Sequence, residues 1–205
     1  LHKGDTVIIR SHGIGKESLE LLNKKQLDII DNTCPFVKVI HNKVEKYYNK
    51  GYKIIIIGDA NHPEVMGING WCDNSAIIIN KEDKPDNLPK KVCVVCQTTE
   101  KQENFQRAIA IIAESCKEFL VFNTICAATE ERQGSAMELS KTVDIMLVIG
   151  DKTSSNTNKL YEICKKQCIN TYLLENHKGL DLVFAENKDL SNSKIGITAG
   201  ASTPE

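Results

Sequence analysis

One spacing occurs twice in the chain and limits its possible folds more than any other feature. Cys34 precedes Asp59 by 25 residues, and Cys126 precedes Asp151 by 25 residues. In both stretches an apolar run leads into "NTC" or "NTIC", a helical pattern follows, and a second apolar run closes in "IGD". A polar loop comes next, "ANHPEVMG" in one copy and "KTSSNTNK" in the other, and each copy ends on a further apolar run, "VCVVCQTT" or "KIGITAGAS". The start, "TVIIRSHG", lines up with those last runs and sets His12 against Thr98 and, loosely, Ser202. Self-similarity of this kind marks one supersecondary unit copied along a chain. Residues 1–33 read as the remnant of a first α/β repeat, 34–125 as the second and 126–205 as the third. The chain, which lacks an initial Met, reads as part of a longer polypeptide, with another Cys expected roughly 80–90 residues before Cys34.

Short β-branched runs alternate with amphipathic segments throughout. Runs such as "TVIIRS", "LDIID", "KIIIIGD", "KVCVVCQ", "DIMLVIGD" and "KIGITAG" are separated by helical patterns such as "KESLELLNKK", "FVKVIHNKVEKYYNK" and "NFQRAIAIIAESC". Near-continuous apolar strands between helices predict a parallel sheet covered on both faces, hence an α/β fold. Residues 80–90, "NKEDKPDNLPK", read as an exposed loop. In such sheets ligands gather beyond the carboxyl ends of the strands, where every polar motif above falls. Repeats arranged with pseudo-threefold symmetry would bring those ends together around a central cavity.

Charge narrows the function. Lys and Arg number 26 against 27 Asp and Glu, spread evenly, which argues against a nucleic-acid surface but permits one small anion. No apolar stretch approaches the roughly 20 residues of a membrane span, and no secretory signal is present. The eight Cys lie mostly within apolar runs rather than in a loop-rich disulfide pattern, so a cytoplasmic protein with free thiols is expected.

Cys34 and Cys126 hold matching places at strand ends. Each alone could be a small buried hydrophobe. With a third thiol from a first repeat, they suit a cubane iron–sulfur cluster with one iron open better than a closed four-ligand zinc site. Cys93 and Cys96, Cys164 and Cys168, Cys72 and Cys116 read as packing residues. In "NHPEV" the Pro predicts an extended local chain, so His62 and Glu64 can point the same way. A cavity-facing Glu is a natural proton donor and a His an anion partner. Ser154, Ser155 and Asn156 stand where a helix begins, as a cap or an anion cradle. Thr98, Thr99 and Ser202 add hydroxyls at corresponding strand ends. His41 reads as a surface or packing residue.

The ordered motifs "RSHG", "DNTCP", "GDANHPEVMG", "CQTT", "ICAATEERQ", "TSSNTNKL" and "ITAGASTPE" resemble those of the LytB family, the 4-hydroxy-3-methylbut-2-enyl diphosphate reductases. The resemblance covers essentially the whole chain. It implies reductive removal of an allylic hydroxyl at the last step of non-mevalonate isoprenoid biosynthesis, giving isopentenyl and dimethylallyl diphosphates. It also implies a [4Fe–4S] cluster with Cys34 and Cys126 as two of three ligands, and Glu64 as proton donor working through Thr98. His12, His62, Thr98, Ser154, Ser155, Asn156 and Ser202 would bind the diphosphate substrate. A ferredoxin or flavodoxin would be a suitable electron donor. Ala127 stands where the family usually has Tyr, and Cys96 where it has Thr. The family's N-terminal part, with one Cys and one His, is not in this sequence, so the chain alone is expected to be inactive. A phosphoester-binding module without catalysis and a zinc hydrolase using His62 and Glu64 are the alternatives.

Overall fold

Four consecutive isoleucines, Ile54–Ile57, lie at most 1% exposed. A strand covered on both faces buries such a run. In the computed structural model, which describes residues 1–81, 83, 87–186, 190–201 and 203, they form the centre of one parallel sheet. Part of the 80–90 loop expectation and all of that for Ser202 therefore lie outside the described residues. The chain splits into two compact units, Leu1–Cys126 and Ala127–Glu205.

In chain order the first unit contains β1 (Thr6–Ile9), α1 (Lys16–Lys24), β2 (Asp28–Asp31), α2 (Pro35–Tyr48), β3 (Lys53–Ile57), α3 (Pro63–Asn69), β4 (Ile77–Ile79), β5 (Lys91–Cys96), α4 (Gln102–Ser115) and β6 (Glu118–Val121). β1 and β2 form one sheet, and a second has the order β4-β3-β5-β6. The second unit contains α5 (Ala127–Ser140), β7 (Ile145–Ile149), α6 (Ser155–Gln167), β8 (Thr171–Leu174), α7 (Leu180–Glu186) and β9 (Ile195–Ala199), with sheet order β8-β7-β9. Every strand pair among the described residues is parallel. The expected α/β class is the observed one.

Strand pleat divides the first unit's core in two. Ile55 and Ile57 pack with Val92, Val94, Phe105 and Ile112 on the α4 side. Ile54 and Ile56 pack with Cys93, Val95, Ile40 and Val44 on the α2 side. α2 has Pro35 in its first turn and buries Val37, Ile40, His41 and Val44, the i, i+3, i+4, i+7 stripe of a helix lying on a sheet.

The internal repeat is visible in the hydrogen bonds. β3 pairs β5 with Ile57 opposite Cys96, and β7 pairs β9 with Ile149 opposite Ala199. The next residue then bonds across in both: Gln97 N–H to Ile57 C=O at 2.8 Å and Gly200 N–H to Ile149 C=O at 2.9 Å. Likewise Gly58 and Gly150 donate to Ile79 and Leu174 at 3.0 and 2.9 Å.

His41, read as a surface or packing residue, is a packing residue. It is 4% exposed and its ring stacks on Trp71 at 5.1 Å and 19°. Burial pushes its pKa down to about 4 from 6.5, against a smaller upward pull from Asp31. The unfolded chain therefore takes up this proton first as pH falls. The stability linked to His41 is full above pH 6.5 and is lost as pH drops towards 4, by at most about 3 kcal/mol. Urea unfolding at neutral pH and near the lower limit should show that loss, and His41→Phe should reduce it.

Candidate active site

The two thiols singled out by spacing are built the same way. Before Cys34, Asp31 Oδ1 accepts the Thr33 N–H at 2.9 Å, an Asx turn that ends β2. Before Cys126, Asn123 Oδ1 accepts the Ile125 N–H at 3.1 Å, the same turn after β6. Asp31 also bonds the Thr33 hydroxyl and pairs with Lys38 at 2.7 Å. Burial raises its pKa, but these partners outweigh burial and bring it down to about 2. The Cys34 N–H then donates to Ser11 C=O at 3.0 Å, and the Cys126 N–H to Thr98 C=O at 2.9 Å. This register sets Ser11 against Thr98 and His12 against Thr99, one residue from the alignment read in the sequence.

Cys34 and Cys126 are half-buried, whereas the other six cysteines are buried. Burial pushes the Cys93 thiol up to about 12 and the Cys164 thiol up to about 11, so both are held protonated at neutral pH. Among the described residues no group of three or more His, Cys, Asp or Glu could hold a metal ion.

"NHPEV" departs from the extended loop expected of it. His62 is the N-cap of α3, Pro63 is its first residue and Glu64 its second. Pro fits the first helical turn because that N–H has no helical partner to lose. His62 Nδ1 accepts the Glu64 N–H at 3.2 Å, the capping bond of the helix start. Glu64 is 2% exposed and Thr98 is 7% exposed. Thr98 donates its N–H to Oε1 and its hydroxyl to Oε2 of Glu64, both at 2.6 Å. The His12 and His62 rings meet edge to face at 5.2 Å.

Six predicted residues of the first unit are thus linked by one series of contacts and short backbone steps. It runs from Cys34 through Ser11 to His12, across to His62, on to Glu64 and Thr98, and ends at Cys126. Gln97 was missed in the sequence. Wholly buried, it accepts the Asp59 N–H at 3.1 Å and donates to Thr99 Oγ1 at 2.9 Å, tying the His62 loop to the end of β5. A buried Gln just past an apolar strand was the available signal.

The second unit holds the counterpart of α3. His62 and Ser154 each follow an Asp by three residues, each donates its N–H back to that Asp's C=O at 3.0 Å, and each caps a helix. Asn156 therefore matches Glu64. Ser154 is the cap: its Oγ accepts the Thr157 N–H at 3.4 Å. Ser155 is half-buried at the first turn of α6. Asn156 is 7% exposed, and both amide atoms, Nδ2 and Oδ1, are buried without a hydrogen-bond partner. Such an amide costs about 1–3 kcal/mol unless something bonds to it.

The family description "LytB protein" matches residues 1–205. The 4-hydroxy-3-methylbut-2-enyl diphosphate reductase of Clostridium tetani is 56% identical over 205 residues, which are 100% of this chain and 32% of the relative. That of Clostridium perfringens strain SM101 is 54% identical, with 100% of this chain and 72% of the relative matched. The chain thus spans about a third of one relative and 72% of the other. Among solved structures, an (E)-4-hydroxy-3-methyl-but-2-enyl diphosphate reductase, the terminal enzyme of the non-mevalonate pathway, is 42% identical with a TM-score of 0.65, matching 100% of this chain and 73% of its own. The E-1-hydroxy-2-methyl-but-2-enyl-4-diphosphate reductase of Plasmodium falciparum is 30% identical with a TM-score of 0.87, matching 98% of this chain and 64% of its own.

Proposed function

The chain belongs to the LytB family, and from that premise we propose that it carries most of the active site of a 4-hydroxy-3-methylbut-2-enyl diphosphate reductase. The reaction takes two electrons and two protons, breaks the allylic C–O bond, releases water and leaves isopentenyl or dimethylallyl diphosphate. The observation that carries this reading is the buried Glu64 carboxylate, clasped by Thr98 and connected to both half-buried thiols.

Cys34 and Cys126 suit an iron–sulfur cluster as two of its ligands, being the cysteines not sealed in the core and standing at matching strand ends. A further thiolate would come from beyond these 205 residues. When bound, a [4Fe–4S] cluster supplies electrons and Lewis-acidic iron. Glu64 holds a proton in a water-poor site and gives it to the leaving oxygen. Thr98 both donates and accepts, so its hydroxyl can accept from a protonated Glu64 and pass a proton on. His12 and His62 present imidazole N–H groups to the diphosphate. Ser154, Ser155 and Asn156, at the start of α6, add neutral donors and the positive end of the helix dipole. Ser202 completes the anion set, and a small electron carrier such as ferredoxin or flavodoxin supplies the electrons.

The test completes this chain with the part of the Clostridium perfringens reductase that it does not match, and prepares the product without oxygen. A brown protein containing iron and acid-labile sulfide, turning the substrate into both products, is the expected result. Stoichiometric zinc without iron, or diphosphate binding without turnover, would contradict the proposal.

A further inference from the structure

The segment after β6 runs beside the end of β5 as far as Cys126, and one rung of that ladder is unusual. The Phe122 N–H donates to Val94 C=O at 3.0 Å, and the Cys126 N–H donates to Thr98 C=O at 2.9 Å. Between them on β5 stands Cys96, wholly buried, so its backbone N–H and C=O need partners within the protein. A regular parallel ladder would supply them from the Phe122 C=O and the Thr124 N–H. Here one side chain serves both. The Thr124 hydroxyl accepts the Cys96 N–H at 2.7 Å and donates to the Cys96 C=O at 2.5 Å. The Asx turn in which Asn123 Oδ1 accepts the Ile125 N–H brackets this residue. The first copy has no such gap. Its rungs, Asn32 N–H to Ile9 C=O and Cys34 N–H to Ser11 C=O, follow directly on one another at 3.0 Å each, and the Thr33 hydroxyl bonds Asp31 instead.

We propose that Thr124 is the positioning residue of Cys126. Its hydroxyl replaces a missing rung of backbone and holds the segment against β5. Cys126 thereby keeps its bond to Thr98, the residue that clasps Glu64. Threonine suits the task because β-branching restricts the torsion that aims the hydroxyl. That the thiol so held meets an iron–sulfur cluster rests on the reductase reading; the hold itself does not.

Amide hydrogen exchange in the metal-free 205-residue chain measures that hold, with circular dichroism to confirm folding. Thr124→Val keeps the shape and removes both bonds. Thr124→Ala also opens room for water at Cys96, which spares the fold. In either variant the Cys126 N–H should exchange about tenfold faster, the effect of roughly one or two lost hydrogen bonds. The Cys34 N–H, on the matching rung of the first copy, should keep its rate, which a general loss of stability would not allow. Thr124→Ser retains the hydroxyl and should restore the Cys126 rate. In the completed reductase, Thr124→Val should lose iron to a chelator about tenfold faster than the unaltered protein, and Thr124→Ser should not. An unchanged Cys126 rate in Thr124→Val and Thr124→Ala would overturn the proposal. So would equal acceleration at Cys34, or a Thr124→Ser chain that behaves like Thr124→Val. A completed reductase without iron would count against the reductase reading alone, and the exchange rates would still decide for or against Thr124.

Discussion

Glu64→Gln is expected to lower kcat of the completed reductase by about 10²–10⁴-fold, the usual range for loss of a positioned acid, with KM little changed. The substitution keeps the size and the hydrogen-bond count of the side chain. The amide oxygen still accepts the Thr98 N–H, while the amide nitrogen donates to the Thr98 hydroxyl where the carboxylate accepted from it. Folding should therefore be preserved, and what is lost is the exchangeable proton. Glu64→Ala is a different experiment, because it strands the buried Thr98 donors at about 1–3 kcal/mol and mixes stability with chemistry. Steady-state rates beside a thermal melt separate the two. A Glu64→Gln enzyme within a few-fold of full activity would remove Glu64 from the proton path.

Cys34→Ser and Cys126→Ser should each cut bound iron to a small fraction of the unaltered level and take activity with it. A serine hydroxyl is a poor substitute for a soft thiolate. The Asx turns and backbone bonds that place these residues use no cysteine side-chain atom, so the substitutions should leave them intact. Cys93→Ala and Cys164→Ala serve as controls. Their thiols are deep in the core, held protonated by burial, and unfit to bind iron. They should lose stability and keep iron. Iron and acid-labile sulfide analysis of the four variants checks this, and a control that loses iron while Cys126→Ser keeps it would reverse the assignment.

Much of this architecture was legible in the chain because its signals are local and periodic. Strands such as Ile54–Ile57 are apolar on both faces, and only a covered parallel sheet accommodates that pattern. Cys34, Cys126, Glu64 and Thr98 stand next to strand ends or helix starts, where side-chain direction follows from the element. The helix opening at Pro63 was less legible, because Pro marks both an extended predecessor and a favourable first helical residue. His62 satisfies both at once as the cap. The match of His12 to Thr99 rather than Thr98 was hidden because the segment joining strand to Cys differs in length between β2 and β6. The bond of Gln97 to Asp59 and the contacts of His41 with Trp71 and Gly13 were not legible: those partners lie tens of residues away and are set by tertiary contacts alone.

The central claim is that the half-buried thiols of two repeats meet one inorganic centre beside Glu64. The most direct measurement is an anomalous difference map at the iron absorption edge, from crystals of the completed reductase grown without oxygen. The account predicts one iron cluster held by Sγ of both Cys34 and Cys126, each thiolate on a different iron of it, with Glu64 and Thr98 facing it. Iron on any of the six core cysteines, or two well-separated iron centres with one thiol each, would contradict it.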